Sequence, residues 1–337
     1  MKAAILGTGS WGTAFGRHLA ATWESVVLWG VAEDQVTAIN TTRTNPDYFG
    51  DLRLPDNLSA TLDLDAAVRD ADAVFVVVPS QVVRETGRRL AAAALPAGAP
   101  VICLSKGLEL DTLKRLSVVL EEEVGRDAAG NPHPVAVLLG PSHAEEVIRG
   151  LPTAVVLAGR GEGWGRWQRA VSGPRFRVYG NPDVTGVEFS SAFKNVLAIA
   201  AGICDGLGYG DNTRGALLTR GMRELARLGI AQGGHFETFY GLAGLGDMIT
   251  TCTSRHSRNR NFGEAVARGE HDPDYLVRHS RQVVEGVPMT RAALKLSEKH
   301  AIELPITREV HDVLFSGRDP REAMASLMER ALRSEME

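Results

Sequence analysis

The chain has 337 residues, 37 basic against 41 acidic, and a formal charge of -4, which leaves no broad positive field for nucleic acid or an anionic membrane. Its three cysteines, Cys103, Cys204 and Cys252, are too few and too scattered for a disulfide framework; no CxxC pair points to zinc, no metal site is expected, and a reducing cytosol fits. No stretch comes near the roughly 20 unbroken apolar residues of a membrane span, so the expectation is a cytoplasmic protein of two domains.

The first twelve residues read MKAAILGTGSWG. A lysine ahead of apolar residues resembles the start of a secretory signal, but the apolar run ends at Leu6 and glycines follow, the pattern of a β-strand. GTGSWG (7–12) then sets Gly7, Gly9 and Gly12 in the spacing GxGxxG between that strand and a helix. Gly7 permits the tight turn, Gly9 lets a pyrophosphate approach the backbone, and Gly12 lets helix and strand pack closely, with the helix N-terminus facing the phosphate charge. With 36 glycines in the chain the triplet alone says little; at the head of a repeating strand–helix pattern it predicts a dinucleotide site.

That pattern continues in apolar runs at 3–6, 26–29, 73–78, 101–104 and 135–139, with two more at 153–158 and 176–179. Such runs are expected of strands covered on both faces by helices, here predicted at 11–21, 81–93 and 112–124. The fold class is therefore α/β, a doubly wound, mostly parallel sheet. The segments 125–134 and 159–165 read as surface connections. The second strand ends LWGVAED, with Gly30 and Val31 where a ribose-binding acid or a phosphate-binding base usually stands. Glu33 and Asp34 follow, either as ribose contacts or as the first turn of a helix, where the macrodipole favours them.

Ligands in open α/β sheets lie beyond the carboxyl ends of the strands, where this chain carries VPS (78–80), SKG (105–107) and GPS (140–142). Lys106 stands either over that rim or as a solvated surface lysine. From about residue 183 the strands give way to helices, amphipathic at 217–228 and 289–300, so the predicted domains are 1–185 and an all-helical 186–337. Within FSSAFKNVLAIAAGIC (189–204) Lys194 is the sole charge. On a helix buried all round its ammonium must be paired, neutral or at a polar cleft, unless the stem packs and the head snorkels to water. Asn195 beside it offers an amide to a site or to helix packing. Asp247, in GLAGLGDMITTC, suits an N-cap, a functional carboxylate or both. SRHSRNR (254–260) has no aromatic interleaving and no docking motif around it, which argues against nucleic acid. Placed after GLGD it reads as a receptor for one small phosphate, with Arg258 and Asn259 at its centre and Arg255 and Arg260 as surface charges.

In chain order, GTGSWGT, VVVPS, SKGLE, GPSHAEE, FKNVLAIAAGICDGLGYGDNTRGALLTRG, GLAGLGDMITTCTSRHSRNRNFG, QVVEG and ELPIT resemble the bacterial-type NAD(P)-dependent glycerol-3-phosphate dehydrogenases almost end to end. The resemblance implies a Rossmann-like domain, a helical substrate domain, NAD(H) or NADP(H) as cofactor, and reversible reduction of dihydroxyacetone phosphate to sn-glycerol 3-phosphate for phospholipid synthesis. By matching position it implies Lys194 as the catalytic lysine and Lys106 as a second active-site lysine; in such a mechanism Asp247 would hold the Lys194 ammonium in place. The substrate positions it implies are Lys106, Gly140, Ser142, Asn195, Asp247, Thr251, Ser257, Arg258 and Asn259. To the Gly7, Gly9 and Gly12 loop it adds the cofactor contacts Ser10, Trp11, Lys106, Ala144, Arg258, Val283 and Glu285. Val31 departs from the arginine or histidine that many members carry for the adenosine phosphate, which leaves NADH and NADPH both open. Many members form homodimers, although no stripe in the helical half marks an interface. Two rivals remain: a hydroxyacid dehydrogenase of the same two-domain plan, which would lack the SRNR block, and a nucleotide sensor without chemistry, against which Lys194 and Asp247 both speak.

Overall fold

The computed structural model describes residues 1–337 apart from 128, 271, 280–282, 333, 336 and 337; Gln282 of the QVVEG motif thus lies outside the described residues. The chain divides into two compact units, Met1–Glu188 and Phe189–Glu337.

The first unit is an α/β alternation. It runs β1 (Lys2–Leu6), α1 (Ser10–Ala20), β2 (Ser25–Trp29), α2 (Glu33–Thr41), α3 (Pro46–Phe49), β3 (Leu58–Thr61), α4 (Leu64–Val68) and β4 (Ala73–Val76). There follow α5 (Val83–Ala92), β5 (Val101–Cys103), α6 (Leu116–Val124), β6 (Val135–Leu139), α7 (Ala144–Val147), β7 (Thr153–Gly159), α8 (Trp164–Val171) and β8 (Phe176–Asn181). The sheet order is β3-β2-β1-β4-β5-β6-β7-β8. Every pairing is parallel except β6 with β7, where Leu139 faces Val156 in antiparallel register. Burial on both faces explains the unbroken apolar runs: β4 and β5 are buried at every position. On one face Phe15 of α1 meets Phe75 of β4 edge-on, with ring centroids 5.0 Å apart, and a core including Leu19, Trp23 and Phe176 closes around them.

Two sequence expectations change here. β3, LSAT, was not expected; it pairs only with β2 and alternates buried Leu58 and Ala60 with half-buried Ser59 and Thr61, so it shows no apolar run. The helix predicted over 112–124 begins only at Leu116. Residues 107–115 instead form a folded loop closed by a Leu108–Arg115 bridge, with Leu113 at φ +57°. Side chains hold that loop in three places. Gln81 bonds the Leu108 carbonyl and the Leu110 N–H, Arg84 forks onto Glu109, and buried Glu188 accepts from Arg115 and from both the N–H and hydroxyl of Ser117.

The second unit is helical. α9 (Val184–Gly206) begins in the last residues of the first unit; α10 (Asp211–Ala231), α11 (Phe236–Phe239), α12 (Asp247–Thr253) and α13 (Arg258–Ala267) follow, then α14 (Pro273–His279), α15 (Gly286–Lys299), α16 (Pro305–Phe315) and α17 (Pro320–Met328). Among the described residues α9 alone is long and apolar enough to cross a membrane, and its apolar window is wholly buried, as in a core helix. Glu224 of α10 supplies a cap from a distance: its carboxylate accepts from the N–H groups of Ile306 and Thr307, at 2.6 and 3.2 Å, and from the Thr307 hydroxyl. These N–H groups open α16, where a helix has no internal acceptors.

Burial lifts the Glu224 carboxyl from its ordinary 4.5 to about 7, against the lowering effect of those hydrogen bonds. The folded protein therefore binds this proton more tightly than the unfolded chain, so the stabilisation is complete below about pH 4.5 and lost as pH rises through about 7. A Glu224→Gln variant should lack this loss, its stability relative to wild type rising by up to about 3 kcal/mol between pH 4.5 and pH 8. Thermal unfolding of the two proteins across that range checks the prediction.

Candidate functional site

In the first unit the sheet order reverses between β1 and β4, and the turn after β1 lies at that switch point. Gly7 adopts φ +139°, and a Cβ there would stand 2.4 Å from the Val77 carbonyl oxygen. A Cβ on Gly12 would come within 2.1 Å of the Gly7 oxygen, so helix and turn touch backbone to backbone. Over Gly9 the space is open: within 4 Å an added Cβ would meet only the Tyr48 hydroxyl, at 3.9 Å. Ser10 and Trp11 open α1, whose first N–H groups have no acceptor within the helix. The turn has the open backbone and unsatisfied N–H groups that a pyrophosphate cradle requires.

Two residues that sequence reading missed fasten the cradle. Buried Asn45 donates to the Thr8 carbonyl and to the Thr13 hydroxyl, both at 2.8 Å, and Tyr48, three residues on, brings its hydroxyl over Gly9. Only their position in a polar turn, TNPDYF, could have hinted at this. At the end of β2, a Cβ on Gly30 would strike the Thr8 side chain at 2.5 Å, Val31 is 78% exposed, and Glu33 and Asp34 form the first turn of α2.

The loops after β5 and β6 converge. The Lys106 ammonium donates to the Gly140 carbonyl at 3.0 Å, and the Ser142 hydroxyl donates to the same oxygen at 2.9 Å. Lys106 is thus held at the carboxyl rim of the sheet, with Ala144 opening α7 close behind.

In the second unit Lys194, 4% exposed, is paired. Its ammonium donates to Asp247 Oδ1 and to Thr251 Oγ1, each at 2.5 Å. The Thr251 hydroxyl gives its own proton to the Asp247 carbonyl, at 2.6 Å, leaving its lone pairs for the ammonium. Ser191, one turn before Lys194, adds a long contact of 3.5 Å to the other carboxylate oxygen. A single π-helical turn, Leu242–Gly246, leads into α12 and sets Asp247 at its start; Asp247 is 1% exposed. Gly246 holds the N-cap position of α12, and Asp247, the first helical residue, gives its carboxylate to the Lys194 ammonium.

The SRHSRNR segment falls into distinct parts. Ser257 is the N-cap of α13, its hydroxyl accepting from the Arg260 N–H at 3.3 Å. Arg258 is exposed and rests against the Val283 carbonyl at 3.1 Å. Asn259 is buried and acts as a pin, donating to Asn195 Oδ1 at 3.0 Å and accepting from the Gly286 N–H at 2.8 Å, next to half-buried Glu285. Arg255 is exposed. Arg260 is no surface charge: it is ion-paired with the buried carboxylate of Asp205, 55 residues earlier, which sequence reading could not supply.

The model of the NAD-dependent glycerol-3-phosphate dehydrogenase N-terminus matches residues 2–164, and that of the C-terminus matches residues 183–325. The chain belongs to the glycerol-3-phosphate dehydrogenase family. It is similar to the glycerol-3-phosphate dehydrogenase (NAD(P)+) of Pelotomaculum thermopropionicum, at 47% identity over 100% of this chain and 95% of the relative. To that of Moorella thermoacetica it is 49% identical, over 99% of this chain and 97% of the relative. Among solved structures, the glycerol-3-phosphate dehydrogenase of Coxiella burnetii superposes with a TM-score of 0.90 at 40% identity, over 98% of this chain and 99% of that one. As a member of the glycerol-3-phosphate dehydrogenase family the protein is an NAD(P)-dependent oxidoreductase with a Rossmann cofactor-binding domain.

The Lys194–Asp247 pair makes a stability prediction independent of activity. Asp247→Ala should destabilise the protein by about 3–5 kcal/mol, because it strands a buried ammonium. Adding Lys194→Met should recover most of that loss, and thermal unfolding of the two single variants and the double variant measures the coupling.

Proposed function

We propose that the protein catalyses the reversible, NAD(P)H-dependent reduction of dihydroxyacetone phosphate to sn-glycerol 3-phosphate, running toward glycerol 3-phosphate in the cytoplasm to supply glycerophospholipid synthesis. Lys194 is the general acid and, in reverse, the general base. The observation that carries this reading is the buried Lys194–Asp247–Thr251 constellation, in which the one cation of α9 is held by a carboxylate and a hydroxyl. The names of the full-length relatives support the substrate assignment.

Bound NAD(P)H would supply a hydride to the central carbonyl carbon. Lys194 delivers a proton from Nζ to the oxygen that becomes the alcohol. Asp247 holds that ammonium in place, and Thr251 aims it by accepting one of its N–H bonds. Lys106, held at the rim by Gly140 with Ser142 on the same carbonyl, orients the substrate oxygen with a preorganised positive charge. Arg258 grips the substrate phosphate with its planar fork. Ser257 places the first turn of α13 toward the same anion. The Asn259 amide, engaged at both ends, contributes its backbone N–H and the fixed geometry of that turn. Asn195 acts through the same bond. Gly7, Gly9, Gly12, Ser10 and Trp11 cradle the pyrophosphate; Lys106, Ala144, Arg258, Val283 and Glu285 are the remaining cofactor contacts.

The direct test is a steady-state assay with dihydroxyacetone phosphate, run with NADH and NADPH side by side and with short 2-keto acids as controls. Turnover of a keto acid in place of the triose phosphate would overturn the substrate. Lys194→Ala should lower kcat by roughly 10²–10⁴ with a native circular-dichroism spectrum; near-wild-type turnover would remove Lys194 from the chemistry. Arg258→Lys should mainly raise KM for dihydroxyacetone phosphate, because a point charge replaces a two-pronged donor.

A further inference from the structure

α13 approaches α9 more closely than side chains allow. A Cβ on Gly202 would stand 1.9 Å from the Arg260 carbonyl oxygen, one on Gly263 would stand 2.1 Å from the Ile199 oxygen, and one on Gly206 would stand 2.6 Å from the Glu264 oxygen. A seam of glycines brings two helices together but provides no interlocking side chains to fix their register. The register is fixed by polar contacts at the start of α13. One is the Asn195–Asn259–Gly286 chain. The other is Asp205, whose side chain is 6% exposed and carries two arginines: Arg214 of α10 on Oδ1, and Arg260 on Oδ2 at 2.5 Å.

Arg258 and Arg260 are two residues apart on a helix, so they project from nearly opposite faces. Arg260 turns to Asp205 and, at 3.5 Å, to Glu264; Arg258 turns outward to the Val283 carbonyl. Without Asp205, Arg260 would be left with its longer contacts to Glu264, at 3.5 Å, and Asn261, at 3.4 Å. We propose that Asp205 is a positioning residue for the substrate phosphate: by neutralising and anchoring Arg260 it fixes the rotation of α13 that aims Arg258. The inference rests on the reading of Arg258 as the phosphate ligand.

The test compares Asp205→Asn, Arg258→Lys and the double variant with wild type, in steady-state reduction of dihydroxyacetone phosphate at saturating cofactor. Asp205→Asn should raise KM for dihydroxyacetone phosphate about ten-fold with kcat within about two-fold of wild type, and the KM for the cofactor, which Arg258 also contacts, should rise by a smaller factor. Because Asp205 acts through Arg258, adding Asp205→Asn to Arg258→Lys should raise KM little further. A folded Asp205→Asn enzyme with unchanged KM, beside an Arg258→Lys enzyme with raised KM, overturns the proposal and leaves the phosphate reading standing. Equal falls in kcat and in cofactor affinity, additive with Arg258→Lys, overturn it in favour of a purely structural ion pair. Unchanged KM in Arg258→Lys sinks the phosphate reading itself, and the proposal with it. Should Asp205→Asn fail to fold, Arg260→Lys takes its place: it keeps a cation for Asp205 but loses the fork, and should raise the same KM about three-fold with kcat intact.

Discussion

An ammonium taken out of water must be given an opposite charge, and in the helical unit that requirement organises everything near Lys194. Lys194 is buried on α9, and the compensation comes from another helix. α12 supplies it, and the π-helical turn ahead of α12 brings Asp247 close enough for contact at 2.5 Å. Thr251, one turn later on the same helix, completes the arrangement. A lysine so placed is neither a snorkelling surface residue nor a stabilising ornament: replacing both partners by apolar groups would be tolerated far better than removing one.

The same economy of partners recurs wherever a charged or polar group is buried. Glu188 holds the start of α6 through Ser117, Glu224 caps α16 from α10, and Asp205 joins α10 and α13 to the end of α9. In each case one carboxylate serves two elements distant in sequence.

Much of this was legible in the sequence, for identifiable reasons. Strands buried on both faces announce themselves as apolar runs, and the GxGxxG turn is a local pattern whose steric demands, at Gly7 and Gly12, act within a few residues. A lone lysine in sixteen otherwise uncharged residues is visible without any structure. β3 was not legible, since an edge strand with one buried face carries only two apolar residues in four. Nor was the folded loop at 107–115, whose sequence has helical character and whose conformation is imposed by Gln81, Arg84 and Glu188 from elsewhere. Arg260 was misjudged, and the partner of Asn259 was missed, for the same reason. Their partners Asp205 and Asn195 lie 55 and 64 residues away, and in a basic heptapeptide nothing local distinguishes the arginine that is used up from the one that is offered.

The antiparallel step between β6 and β7 has a consequence for how the first unit can change. Because β7 and β8 both run against β1, β4, β5 and β6, their carboxyl ends emerge at the opposite edge of the sheet from the glycine turn, Lys106 and Gly140. The turn that follows β7 therefore leaves the sheet at the edge away from the cofactor rim. The turn after β7, with Gly161 and Gly163 at positive φ and open to solvent, is therefore a place where an inserted segment or a label can be accommodated while the rim stays as it is.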